Sequence, residues 1–237
     1  MALPKLNAPT HELVLPSTGE KIKFRPFLVK EQKMLLLAQE SKNEQQLIDT
    51  VVQLISNCTF EKVNTETAPM FDVEYIFLKL RSKSVGETAE LNLLCNDDGK
   101  TRVPVKINLD KIDVHMTVDH TNEIELSEDP KVKVVLSYPR LRDTRGVPDG
   151  IDDYQKMFMF LNKCIYEIHH DDKIYNAVDT TQKDIDEFID SMSSEQLNKI
   201  LEFFTSMPKL RHTVKYVNPK TKVTNEVTLE GLSTFLE

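Results

Sequence analysis

Apolar positions along this chain repeat first at every second residue, then at every third or fourth, then at every second again. "HELVL" and "EKIKF" each alternate, and "PSTGE" between them carries the Pro, Ser and Gly chemistry of a turn, so the chain opens on a β-hairpin. Pro26 stops the second strand. From about Val29, the positions Met34, Leu35, Leu37 and Ala38 predict one apolar helix face. A second helix follows from Leu47, Ile48, Val51, Val52 and Ile55. A third, beyond Pro69, follows from Val73, Ile76, Phe77 and Leu80. The period then drops to two. Ala89, Leu91, Leu93 and Cys95 share one face of a strand, and Val103, Val105, Ile107 and Leu109 share one face of its return. Further strands are predicted at "KIDVHMTV", "NEIELS" and "VKVVLSY", with links too short for crossovers, so the layer is antiparallel.

The stretch "PRLRDTRGVPDG" marks an internal joint at residues 139–150. Beyond it the pattern is helical: Met157, Phe158, Phe160, Leu161, Cys164, Ile165 and Ile168 form a broad apolar stripe that places His169 and His170 at a helix end. Thr181 with Asp184, and Ser193 with Gln196, have the spacing of capping boxes ahead of two more helices, the second ended by Pro208. "RHTVKYV" and "KVTNEVTL" predict a closing hairpin around "NPKT", and "LEGLSTFLE" an amphipathic turn or two. The expected fold class is α+β, with central antiparallel hairpins, N-terminal helices and a C-terminal helical region ending in a β-hairpin. The expected domains are 1–140 and 150–237.

Composition narrows the function. The chain has 237 residues, 40% of them hydrophobic, and a net charge of −8. An acidic surface opposes phosphate binding, so nucleic acid is not an expected partner. Three widely spaced cysteines, Cys58, Cys95 and Cys164, give no disulfide framework and fit a reducing compartment. The start "MALPKLNAPTHELVLP" has no basic stretch followed by an apolar run, so no signal peptide is expected. No apolar run approaches the roughly 20 residues that span a bilayer.

Candidate chemistry is sparse. "CNDDG" has the outline of a C-x-x-C-G zinc knuckle with Asp98 in place of the second cysteine, and the later tip, Asn218 to Thr221, sits where a second knuckle would. Structural zinc usually needs four Cys or His ligands, and one thiol with one carboxylate is a degenerate set. The turn is therefore expected to be a metal-free hairpin tip with Asp98 and Gly99 at the bend and Cys95 packed inward. A metal-dependent enzyme would have to use Asp113, His115 and Asp119 along one strand face, or the cluster from His169 to Asp172. The simpler readings are a solvated strand face and a helix end that favours imidazolium. Nucleophile elbows, phosphate loops and dinucleotide loops are absent from the sequence, so neither an enzyme nor a cofactor is expected. Arg81 and Lys83 close a helix that Gly86 terminates, a dipole-favoured arrangement that also suits docking onto an acidic neighbour.

"LPSTGEKIKFRPFLVKEQKMLL", "EYIFLKLRSKSVGE", the tip "LLCNDDGK" and the segment from Met207 to Leu236 together resemble the baseplate hub subunit family of T4-like contractile-tailed bacteriophages. The resemblance covers most of the chain. It implies a structural or assembly role in the tail baseplate hub, with other baseplate and tail proteins as partners and no small-molecule substrate. It also implies assembly in the host cytoplasm, a place in the virion baseplate, and room for an oligomer there. A tail assembly chaperone absent from the finished virion is the alternative within the same reading. Many members of the family carry C-x-x-C knuckles at the two tips; this chain departs from that at Asp98 and from Asn218 to Thr221. Candidate interface residues are Phe24, Arg25 and Phe27 beside the first hairpin, Arg81 and Lys83 at the helix end, and Leu232, Phe235 and Leu236 near the C-terminus.

Overall fold

The structure is a computed structural model that describes residues 6–41, 43–144, 147 and 150–231. It is α+β, and its chain divides into two compact units, one of residues 1–115 with 209–237 and one of residues 116–208. The Pro/Gly stretch at 139–150 lies inside the second unit, and the closing hairpin belongs to the first, a division that differs from the one expected at that stretch.

The first unit begins with the hairpin β1 (His11–Val14) and β2 (Lys21–Phe24), whose register sets Leu13 against Ile22 and buries both with Phe24. Three helices follow: α1 (Val29–Glu40), α2 (Glu44–Cys58) and α3 (Met70–Val85). The Asn43 side chain accepts from the Gln46 amide (3.0 Å) and starts α2. Phe71, Val73, Ile76, Phe77, Leu78 and Leu80 of α3 are all buried, which makes it the central helix of the unit. In α1 the buried line runs through Glu31, Leu35 and Ala38, and Leu37, expected inward, is exposed. The strands β3 (Thr88–Leu94) and β4 (Arg102–Asn108) pair with Leu91 opposite Val105. A three-stranded sheet joins β5 (Val114–His115), β10 (Lys209–Val217) and β11 (Thr224–Glu230) in the order β11-β10-β5. Leu78, Leu91, Cys95, Ile107, Leu210 and Tyr216 meet in one apolar cluster between these elements. The strand expected over "KIDVHMTV" is thus reduced to two residues.

The second unit is a four-stranded antiparallel sheet, β6 (Glu123–Glu128), β7 (Lys131–Leu136), β8 (Ile165–His170) and β9 (Lys173–Asn176), in sequence order. Three helices complete it: α4 (Asp153–Cys164), α5 (Gln182–Asp190) and α6 (Ser194–Ser206). Leu126, Val134, Leu161, Ile185, Ile200 and Phe203 share its core. Both expected caps form: Thr181 accepts from the Asp184 amide, and Ser193 and Gln196 make a reciprocal capping box.

The region beyond residue 150 is not wholly helical. The stripe expected to run as one helix to Ile168 stops at Cys164, and Ile165–His170 is a strand. The cause is local: "IYEIHH" and "KIYN" are rich in β-branched and aromatic residues and flank Asp171-Asp172, a two-residue hairpin turn with Asp171 at φ 51°. His169 and His170 are therefore strand residues, not a helix end. Among the described residues no helix is long and apolar enough to cross a membrane.

Candidate functional site

The β3–β4 and β10–β11 tips of the first unit are closed by similar backbone bonds. In the β3–β4 tip the Cys95 carbonyl accepts from the Gly99 amide (2.9 Å), and the Cys95 amide donates to the Thr101 carbonyl (2.7 Å). In the β10–β11 tip the Asn218 carbonyl accepts from the Lys222 amide (2.9 Å), and the Asn218 amide donates to the Val223 carbonyl (2.9 Å). The fifth residue of each turn is left-handed, Gly99 at φ 63° and Lys222 at φ 65°. Glycine suits that conformation at no steric cost, which explains Gly99. The β1–β2 tip, which has no knuckle outline, closes in the same way through Leu15, Gly19 at φ 72° and Glu20, so the backbone is that of a hairpin turn.

The side chains fill that frame with hydrogen bonds. Asp98 accepts from the amides of Lys100 (3.0 Å) and Thr101 (2.9 Å) and from the Thr101 hydroxyl (2.6 Å). These donors, the hydroxyl first, hold its carboxyl well below the ordinary range. Asp97 joins the two tips. Its carboxylate accepts from the Thr221 hydroxyl, from Asn218 Nδ2 (3.1 and 3.2 Å) and from Asn225 Nδ2 (2.9 Å). Its amide donates to Asn225 Oδ1 (3.1 Å). The Thr221 hydroxyl is the largest influence lowering its carboxyl, followed on that side by the two amides. Cys95 sits in the core behind this clasp, its thiol pushed upward by burial and then by the charges of Asp97 and Asp98. A thiol held protonated is a poor nucleophile.

Zinc at these tips would have Cys95, Asp98, Asn218 and Thr221 at the four C-x-x-C positions. One thiol, one carboxylate engaged with its own turn, one amide and one hydroxyl do not fit a tetrahedral zinc site. The clasp joins the tips through a carboxylate instead. We expect a chelator to leave the melting temperature of the purified chain unchanged. Asp97→Ala should raise hydrogen exchange at residues 95–101 and 217–224 while leaving α1 to α3 protected. A chelator-dependent melting temperature, or an Asp97→Ala profile identical to wild type, would refute this account of the tips.

The other candidate clusters come apart. Asp113 pairs with Lys79 (3.4 Å). His115 ends the two-residue β5, and residues 116–120 are not a strand, so the expected row through Thr117 and Asp119 does not form. His169 Nε2 lies 2.8 Å from Glu167, whereas the neighbouring His170 lies 3.9 Å from Asp171; adjacent strand residues point to opposite faces. Among the described residues no three His, Cys, Asp or Glu side chains converge as a metal site. His120, not singled out in the sequence, is half-buried in the second unit. Its Nδ1 lies 3.0 Å from Ser206 Oγ and its Nε2 3.1 Å from the Tyr138 hydroxyl, while Ser206 Oγ donates to the Glu202 carbonyl (2.7 Å). Nδ1–H therefore donates to Ser206, and burial lowers the imidazole pKa and keeps it neutral. Ser206 is committed to its own helix, so the pair has the form of a buttress rather than a nucleophile and base.

The candidate interface residues separate likewise. Phe24 and Phe27 are buried, and Arg25 bonds Glu31 (2.9 Å) and the Pro26 carbonyl (3.0 Å) inside the unit. Burial lowers the Arg81 pKa. Lys83 bonds Glu87 (2.7 Å) and Asp110. Leu232, Phe235 and Leu236 lie outside the described residues. Exposed apolar side chains occur elsewhere, at Val29, Leu36 and Leu37 on α1 and at Ile174 and Tyr175 on β9.

These features define an α+β protein of small antiparallel sheets whose sequence-marked polar clusters are engaged within the fold. The chain matches the family described as "T4 bacteriophage base plate protein" over residues 8–237, and it belongs to that family. No curated protein and no solved structure matches it significantly.

Proposed function

We propose that this protein is a structural or assembly component of the hub of a contractile-tail baseplate and works through protein–protein surfaces rather than catalysis. The observation that carries this reading is the extent of the family match, which takes in both compact units and the closing hairpin. The hub in particular rests on the sequence resemblance at the first hairpin, the α3 end and the hairpin tip. The engaged state of Asp97, Asp98, Lys83 and His120 supports a non-catalytic role, because each has its polar atoms committed to neighbours in its own unit. Exposed apolar residues on α1 and β9 supply surface for partners. Production in the host cytoplasm and incorporation into the virion tail follow from the same reading.

Electron cryomicroscopy of intact tails tests it. Density fitted by the two units at the baseplate centre is the expected result, and density at the baseplate periphery instead would overturn the hub assignment. Absence from finished virions, combined with a requirement during tail assembly, would select the assembly-factor form of the reading.

A further inference from the structure

The sheet of the second unit has two edges with different treatment. At the β6 edge, Gln196 Nε2 and Lys199 Nζ of α6 donate to the carbonyls of Leu126 (3.3 Å) and Glu125 (3.4 Å). At the β9 edge, all four residues from Lys173 to Asn176 are exposed, Ile174 by 58% and Tyr175 by 44%. An open strand edge is a template for another strand.

The direction of the edge groups follows from the register. The Asp171 amide donates to the Lys131 carbonyl (2.8 Å), and His169 stands opposite Lys133. The odd-numbered residues of β8 therefore bond to β7, and Ile168 and His170 bond to their β9 partners Tyr175 and Lys173. On β9 this leaves the N–H and C=O of Ile174 pointing away from the sheet. Asn176 points the same way, but its carbonyl accepts from the Thr180 hydroxyl (2.8 Å).

We propose that β9 is the contact through which two copies of this chain pair, antiparallel about a two-fold axis at Ile174. Pairing of two such edges must set outward-pointing residues against outward-pointing residues. One register that does so opposes Lys173 to Lys173 of the second copy, and like charges directly opposite are destabilising. Another opposes Ile174 to Asn176 at both of its outward pairs, so each free Ile174 meets a carbonyl already engaged, whereas the register centred on Ile174 gives the free Ile174 groups to each other. The register centred on Ile174 opposes Ile174 to Ile174, Lys173 to Tyr175 and Asp172 to Asn176. It joins apolar to apolar, an ammonium to an aromatic ring and a carboxylate to an amide, with no like charges opposed. The strand is its own complement in that register, which is what a two-fold contact requires. A four-residue strand gives a small interface, so the dissociation constant is on the order of 10–100 µM, in the range of weak, transient contacts.

This inference does not depend on the hub assignment, and the purified full-length chain tests it. Sedimentation equilibrium from about 5 to 500 µM, a range bracketing that constant, should show a monomer–dimer equilibrium. Ile174→Asp and Ile174→Lys should each weaken association by about tenfold or more, the effect of roughly one opposed charge pair in an interface. Mixing the two variants should restore it, because the axis brings residue 174 against itself. Ile174→Cys should form a disulfide-linked dimer on mild oxidation, and Val178→Cys, at a fully exposed site beyond the strand, should not. Ile174 is exposed, so these variants should fold, with circular dichroism as the check. A chain that stays monomeric up to the highest concentration, a dimer indifferent to Ile174→Asp, or charge variants that fail to associate when mixed would overturn the proposal.

Discussion

Glu31→Ala should destabilise the first unit by about 3–5 kcal/mol, the cost of removing one partner from a buried ion pair. Glu31 is 1% exposed and accepts from Arg25 Nη2 (2.9 Å) and from the Leu28 amide (2.7 Å) at the start of α1. The Arg25 amide in turn donates to the Cys58 carbonyl at the end of α2 (2.9 Å). The carboxylate therefore ties the chain after the first hairpin to the start of α1, beside a separate backbone tie to the end of α2, and its loss leaves the Arg25 guanidinium without its charged partner. Burial pushes the Glu31 carboxyl up, but the Arg25 hydrogen bond, the Leu28 amide and the charges of Arg25 and Lys30 together pull it below its ordinary value. A depressed carboxylate contributes stability above its unfolded pKa, about 4.3, and loses it as pH falls through the lower folded value. Chemical denaturation of wild type and Glu31→Gln should therefore differ at neutral pH and converge on acidification, with hydrogen exchange placing the loss in residues 11–58. Equal stability at neutral pH would remove the ion pair from this account.

Phe203→Ala should destabilise the second unit by a similar amount, about 3–5 kcal/mol for a buried ring. Phe203 is 1% exposed, and its ring lies 5.5 Å from Tyr138, 5.1 Å from His120 and 5.2 Å, edge-on, from Phe204. Aromatic contacts of this kind contribute beyond the area they bury. Phe203→Leu should cost less than half as much, since the cavity is smaller. Because burial depresses the His120 pKa, the unfolded chain takes up its proton first as pH falls. The second unit should therefore begin to lose stability below about pH 6.5, well above the window in which Glu31 acts. Thermal unfolding followed by hydrogen exchange at pH 7.5 and 5.5 reads both effects. An unchanged second unit at the lower pH would show that His120 is not held neutral by burial.

Local chemistry was legible in the sequence. The alternation of "HELVL" and "EKIKF", the three-four spacing of α2 and α3 and the caps at Thr181 and Ser193 each act within a few residues, and all appear as elements of the structure. Ile165 shows where period misleads. It continues the apolar stripe of α4 but belongs to β8, and the "IYEIHH-DD-KIYN" hairpin signal was the better guide. Long-range pairing was not legible. Nothing near Lys209 tells that β10 returns to pair with β5. The clasp failed to show for the same reason: Asp97 looks like a turn residue until Asn218, Thr221 and Asn225, more than 120 positions away, arrive beside it. Phe24 and Phe27, expected at an interface, are buried within the fold, a placement that depends on packing distant in sequence.

The role proposed for the chain is in the baseplate hub, through protein contacts. Depleting the protein during phage infection and imaging the tail structures that accumulate tests that role. Baseplates lacking a complete hub should build up and functional tails should fail to form, with rescue by wild-type protein supplied in trans. Normal, infectious tails formed in the absence of this chain would contradict it.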